Sequence, residues 1–154
     1  MQVIRRFALV GGVAFALNIL WERTHLPLYS GYEALGSGWL LIFWASAGDV
    51  IYTVFIALAI AAWKRNLNWM DSASGREYAA AGLLGFLVAL FVEYKALYLH
   101  RWSYAIGMPI IPVMGVGLSP LLQMMTLVPL SIWITKRLLY PTSDLLTDLS
   151  GHNS

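Results

Sequence analysis

The sequence predicts an all-α, polytopic integral membrane protein, four transmembrane helices gathered in one bundle. Three observations carry the prediction. Of 154 residues, 59% are hydrophobic and 12% charged, where an average soluble domain has about a quarter charged, and the mean hydropathy is +0.67. Apolar runs of roughly 20 residues, the length that crosses about 30 Å of hydrocarbon, recur along the chain. The basic residues stand at the ends of those runs, as membrane topology requires. This balance excludes an ordinary soluble globule and a disordered chain. The formal charge of +2 is too small to suggest a nucleic-acid partner, and with no cysteine the chain has no disulfide, thiolate metal ligand or cysteine nucleophile.

The first span is expected at about 4–22, with Arg5 and Arg6 at its start. An Arg-Arg start before an apolar run also resembles a signal peptide, but Leu17-Asn18-Ile19-Leu20-Trp21 offers no small-x-small cleavage site, so a retained helix is expected. The second span is about 38–63, interrupted by a single charge at Asp49, and the third about 79–99, uncharged until Glu93 and Lys95. After Arg101 no charge occurs before Lys136, yet Pro109, Pro112, Gly115, Gly117 and Pro120 break a continuous helix. Ser119 before Pro120 reads as a helix N-cap with proline in the first turn. The fourth span is therefore placed at about 120–139, and 102–118 as an irregular segment, on the surface or re-entrant.

Four spans put both termini on one side. That side holds Arg5, Arg6, Lys64, Arg65, Arg76, Lys136 and Arg137; the other holds Arg23, Lys95 and Arg101. The excess places both termini in the cytoplasm. Trp39, Trp44, Trp63, Trp69, Trp102 and Tyr98 fall near span boundaries, as an aromatic belt would. Residues 1–140 form a single transmembrane domain and 141–154 a short polar cytoplasmic tail, with no internal repeat.

Ionisable residues inside a span cost several kcal/mol by insertion scales, so each calls for a partner or a role. Asn18 and Glu22 are four apart on one face of helix one. Glu93 lies six residues before Leu99, Gln123 is one turn into helix four, and Asp49 is eleven residues into helix two, about 16 Å down and near the middle of the bilayer. Glu33, Asp71, Glu77, Asp144 and Asp148 are assigned to loops or the tail. Together these positions predict a polar chamber in the outer half of the bundle, floored by Asp49. Asp49, Glu93 and Glu22 are its candidate catalytic acids; Asn18, Trp21, Trp44, Tyr52, Tyr94, Arg101, Trp102, Tyr104 and Gln123 are candidate substrate-binding residues.

Plainer readings stand beside this one. Glu22 with Arg23 and His25 reads equally as an interfacial cluster, Asp49 as an acid paired with Arg101 or Lys95, and Gln123 as an interhelical hydrogen bond. Within the predicted spans no Glu-x-x-His or His-x-x-x-His pair is complete, Glu22-Arg-Thr-His25 running past the end of the first, so no metal is expected. A serine elbow and a glycine-rich phosphate loop are likewise missing, and no cofactor is expected.

Several stretches, taken in order, resemble a family of small four-helix bacterial inner-membrane proteins. They are Asn18-Ile-Leu-Trp-Glu22 with Leu26-Pro-Leu-Tyr29, Gly48-Asp49, Glu93, Arg101-Trp-Ser-Tyr104 with Met108-Pro109, and Gly115-Val-Gly-Leu-Ser-Pro-Leu-Leu-Gln123. The resemblance runs from Ala14 to about Trp133 and implies topology and a set of residues, not an activity. The architecture is also similar by analogy to sterol-isomerase-like and membrane cyclase proteins, whose fuller motifs are not matched.

Two functional classes are weighed. One is an acid–base enzyme, isomerase- or cyclase-like, on an apolar isoprenoid or lipid substrate: a carboxylic acid in hydrocarbon can donate a proton to an alkene, and aromatic faces can stabilise the cation formed. The other is a small-molecule- or lipid-binding or cation-coupled transport component, which so narrow a bundle would perform as a homo-oligomer; a purely structural subunit is its limiting case. The expected partners are membrane lipids and an apolar small molecule, not nucleic acid. Transport would place acids along the whole path, whereas the inner half lacks them, which leans towards a one-sided pocket.

Overall fold

The computed structural model describes residues 2–31 and 38–140. Glu33, Asp144, Asp148 and the predicted tail lie outside the described residues. Four helices are long and apolar enough to cross a membrane: α1 (Gln2–His25), α2 (Gly38–Lys64), α3 (Gly75–Tyr98) and α4 (Leu118–Leu139). They form a ring in which α1 packs on α2, α3 on α4 and α1 on α4, while α2 and α3 meet more sparsely.

At the side carrying the start of α1 and the end of α4, here the near side, a polar network ties the helix ends together. Buried Arg6 pairs with Asp71 at 2.8 Å, donates to the Asn68 side chain and donates to the Tyr140 hydroxyl at 2.9 Å. Lys64 pairs with Glu77 at 2.7 Å, joining the end of α2 to the start of α3. Glu77 thus stands not in a loop but, buried, in the first turn of α3. Its carboxylate accepts from Ser74 N at 2.8 Å and Ser74 Oγ at 2.7 Å, a Ser-x-x-Glu start that places the helix four residues before the expected one. Trp69 is likewise not part of an aromatic belt. The 65–74 connection folds back into the bundle, leaving Trp69 fully buried with its indole N–H donating to Ala57 O at 3.1 Å. Trp39, Trp44, Trp63 and Tyr98 are exposed.

Close approach of α3 and α4 depends on glycine. A Cβ on Gly85 would stand 2.4 Å from Met124 O, and one on Gly82 3.0 Å from Met125 O. Pro129, inside α4, has no N–H to give to the carbonyl four residues earlier, that of Met125. The Met125 carbonyl, which Pro129 leaves without an intrahelical donor, thus lies in the stretch of α4 that packs closely on α3, in the small-residue manner of membrane helix pairs.

The opposite, far side is capped by irregular chain. β1 (Tyr29–Ser30) pairs antiparallel with β2 (Ser103–Tyr104), and β3 (Ile110–Ile111) with β4 (Val116–Gly117). The second hairpin buries Val116 and carries the chain into α4 with Gly117 as N-cap, Leu118 N bonding to Pro109 O at 2.8 Å. Ser119 is therefore not the cap. It lies within the first turn, buried, its hydroxyl without a partner, while Pro120 still falls where a missing N–H costs no helical bond. The hairpin also reaches about one turn down α3, where the Tyr94 hydroxyl donates to Met114 O at 2.8 Å.

Three of the four helices, α1, α2 and α3, are in register between two polar layers. Sixteen residues separate Arg6 from Glu22, fifteen separate Lys64 from Asp49, and sixteen separate Glu77 from Glu93, each about 22–24 Å of helix. The intervening core is apolar, centred on Val10, Ile56, Ala57, Ile60, Ala81, Val128 and Ile132.

Candidate functional site

The far-side layer is organised by one amide. Gln123 is buried on α4, and its Nε2 donates to Asn18 Oδ1 at 3.0 Å, Glu22 Oε1 at 2.7 Å and Asp49 Oδ2 at 2.9 Å. Asn18 is held from behind by its own N–H donating to Ala14 O at 2.9 Å. Two carboxylate oxygens on one nitrogen are separated by at most the sum of their distances to it, 5.6 Å. Asp49 accordingly shares the height of Glu22 and is not a floor beneath it. Counting from the far ends misplaced it because α2 extends about eleven residues beyond Asp49, and α1 only three beyond Glu22.

A cavity of about 380 Å³ opens against this pair. Glu22 and Leu26 line it from α1 and the turn after it; Leu41, Trp44, Ala45, Gly48, Asp49 and Tyr52 from α2; Val88, Ala89, Val92 and Glu93 from α3; Pro120, Gln123 and Met124 from α4. The α2 residues recur at the three- and four-residue steps of a single helix face. Gly48 and the alanines make the space: a Cβ on Gly48 would meet nothing within 4 Å. Tyr29, Arg101 and Trp102 complete the wall from the far-side cap.

Glu93 is the third carboxylate, 3% exposed, and accepts a short hydrogen bond from the Tyr104 hydroxyl. The β1–β2 pairing places Tyr104 beside Tyr29, ring centroids 5.9 Å apart, and Tyr29 meets Trp102 edge-on at 6.1 Å. Burial, then the neighbouring carboxylates, holds the Tyr29 phenol well above its usual range; burial and the bond to Glu93 do the same for Tyr104. The Trp102 indole N–H is buried and, like the Tyr29 hydroxyl, is turned towards the Glu93 carboxylate, without a hydrogen bond of normal geometry.

Of the residues singled out in the sequence, Glu22, Trp44, Asp49, Tyr52, Glu93, Arg101, Trp102 and Gln123 line one cavity, with Asn18 and Tyr104 directly behind it. Trp21 and Tyr94 are not brought there. Trp21 stacks on His25 at 4.4 Å, and Tyr94 is exposed on the flank of α3. Neither Arg101 nor Lys95 pairs with Asp49 among the described residues. Tyr29 was missed as a wall residue; the Leu26-Pro-Leu-Tyr29 turn marks a chain reversal, but only its pairing with Ser103–Tyr104 turns it inward. Gly48 and Ala89 were missed because a residue that contributes space leaves no chemical signature.

Among the described residues no group of three His, Asp or Glu is close enough to hold a metal ion. No family model, no curated protein and no solved structure matches the chain, so its function is argued from this geometry.

Proposed function

We propose that the protein is a membrane-embedded acid–base enzyme, an isomerase or cyclase in reaction type, acting on an apolar isoprenoid-like or lipid substrate. The observation that carries the reading is the meeting of Glu22 and Asp49 on one amide nitrogen at the wall of an aromatic-lined cavity. Two carboxylates this close repel if both are charged. One shared proton removes the repulsion and leaves an acid beside a base. The Gln123 amide fits such a pair, because its two N–H hydrogens face three acceptors and a proton on one carboxyl supplies the missing donor.

In the proposed reaction the protonated carboxyl of the pair gives its proton to an alkene carbon: the O–H bond breaks, a C–H bond forms and a carbocation results. The faces of Trp44, Trp102 and Tyr29 stabilise that charge. The Glu93 carboxylate, oriented by Tyr104, then removes a proton from a neighbouring carbon, and the double bond re-forms elsewhere. Substrate and product have the same composition, and the proton left on Glu93 returns to the pair through solvent or the cavity. Each transfer of this kind contributes about 10²–10⁴ in rate.

The near-side excess of basic residues, seven against three, supports cytoplasmic termini and a cavity towards the outer leaflet, in the bacterial inner membrane that the family resemblance implies. A cation-conducting role has less support, because some 22–24 Å of apolar helix separates the two polar layers; the hydroxyls of Thr53 and Ser131 within it bond to carbonyls of their own helices.

The test does not require the substrate to be identified beforehand. The protein is incubated in deuterated buffer with isoprenoids and lipids extracted from membranes, and mass spectrometry finds any species that gains deuterium on carbon. The expected result is a species labelled by the parent and not by Asp49→Asn. No labelled species, or equal labelling by a folded Asp49→Asn variant, overturns the proposal.

A further inference from the structure

The Lys64–Glu77 ion pair closes the near-side ends of α2 and α3, and the cavity lies between the same helices at the far side. The seam between the two is thus tied at the near side and lined by the cavity at the far side. The cavity wall along this seam is apolar and reaches the lipid-facing surface: Leu41, Tyr52, Val88 and Val92 are half-buried, and Trp44 is 64% exposed while lining the cavity. Towards water the cavity is bounded by Tyr29, Arg101 and Trp102, with the β1–β2 pairing holding Tyr29 and Trp102 against each other.

The polar groups of the wall are also arranged by height. The carboxylates sit on the helices, Glu93 being met there by the Trp102, Tyr29 and Tyr104 side chains, whereas the guanidinium of Arg101 stands free of them in the cap, without an ion-pair partner among the described residues. A ligand with an oxygen at one end satisfies the Arg101 guanidinium, and its hydrocarbon part then lies over Asp49 and Glu93. The volume, about 380 Å³, equals that of roughly a dozen liquid water molecules at about 30 Å³ each. It holds on the order of a dozen non-hydrogen atoms, so a longer molecule must leave its tail in the bilayer.

We infer that the cavity takes the oxygen-bearing end of a membrane-dissolved apolar molecule, an isoprenoid-type alcohol or ketone, which reaches it sideways from the lipid between α2 and α3. The inference rests on the cavity being a substrate site, and it names the route and the substrate class.

Photolabelling tests it without requiring turnover. The full chain in phosphatidylcholine vesicles is irradiated with a ten-carbon isoprenoid alcohol bearing a diazirine, and the adducts are located by mass spectrometry. They are expected at Ala45, Gly48, Ala89 and Glu93, with competition by the unlabelled alcohol but not by the alkane of the same length. Val88→Trp with Val92→Trp, which adds bulk at the seam, is expected to remove these adducts while leaving those on the lipid-facing Phe55, Leu87 and Phe91. Trp44→Ala, which removes bulk at the same place, is expected to increase them. Adducts confined to lipid-facing residues, equal competition by the alkane, or cavity adducts unchanged by both sets of substitutions would overturn the inference. Cavity labelling without any deuterium exchange would leave this route standing and reject the acid–base chemistry.

Discussion

Gln123→Leu is the most informative single change. Leucine keeps similar bulk at a buried position of α4 but removes the amide that faces Asn18, Glu22 and Asp49. Hydrogen bonds to charged groups contribute about 1.5–3 kcal/mol and neutral ones about 1. With one carboxylate and one protonated carboxyl, as the proposed shared proton requires, the full loss would be roughly 3–5 kcal/mol. The cavity beside the pair lets part of that be recovered by other contacts, so about 3 kcal/mol is expected. The assay is unfolding in mixed detergent micelles as denaturing detergent is added, followed by circular dichroism. A double-mutant cycle with Asp49→Asn isolates the interaction itself: the leucine substitution should cost at least about 1 kcal/mol less when Asp49→Asn is already present. Parental stability of Gln123→Leu, or additivity in the cycle, would refute the claim that this amide holds the two acids together.

Three further predictions concern the frame around the site. Arg6→Met, which keeps the apolar stem but breaks the contacts to Asn68, Asp71 and Tyr140, should lower stability by about 1–2 kcal/mol in the same assay, a figure discounted because Asp71 is about one-third exposed. The tyrosines supply a pH dependence. Their phenols are held above the usual value of about 10, so the folded chain keeps both protons longer than the unfolded one. Their contribution is complete below about pH 10 and is lost as the pH rises towards the folded values, and Tyr104→Phe should make that alkaline loss shallower. Alanine should act with opposite sign at two helical glycines. At Gly85 its Cβ would meet Met124 O, costing about 1–3 kcal/mol; at Gly48 it enters open space and should stabilise by about 0.5–1 kcal/mol while shrinking the cavity.

The four spans were legible because hydropathy over 20 residues is a coarse signal that no local contact can overturn. Near-side detail was less so. Glu77 was assigned to a loop although Ser74-Gly-Arg-Glu77 carries the spacing of a capping box; the apolar run beginning at Ala79 drew the boundary inward. Trp69 looks in sequence like any interfacial tryptophan, and only the return of its loop to the Ala57 carbonyl buries it. Within the site, the acids and Gln123 stood out because polar residues in apolar helices are costly. Trp21 and Tyr94 were drawn in by adjacency to Glu22 and Glu93, but neighbours in a helix point about 100° apart. That angle sends Tyr94 to the flank of α3 and Trp21 onto His25.

The equal spacing of charges on three helices explains why the site lies where it does. A chain with polar groups at both ends of every span is anchored at both, and Arg6, Lys64 and Glu77 fix the near end. About 22–24 Å beyond them, Glu22, Asp49 and Glu93 fall short of the roughly 30 Å hydrocarbon thickness. They are thus too deep for free hydration and too shallow for the bundle's middle. Their desolvation is met by protein donors, Gln123 for two of them and Tyr104 for the third. Those donors come from α4 and from the far-side cap, so closing the bundle and folding the cap assemble the site together. Shifting α2 by one residue would turn Asp49 about 100° away from Gln123. Register between the two layers, more than the presence of any one acid, is what brings the carboxylates to a common cavity.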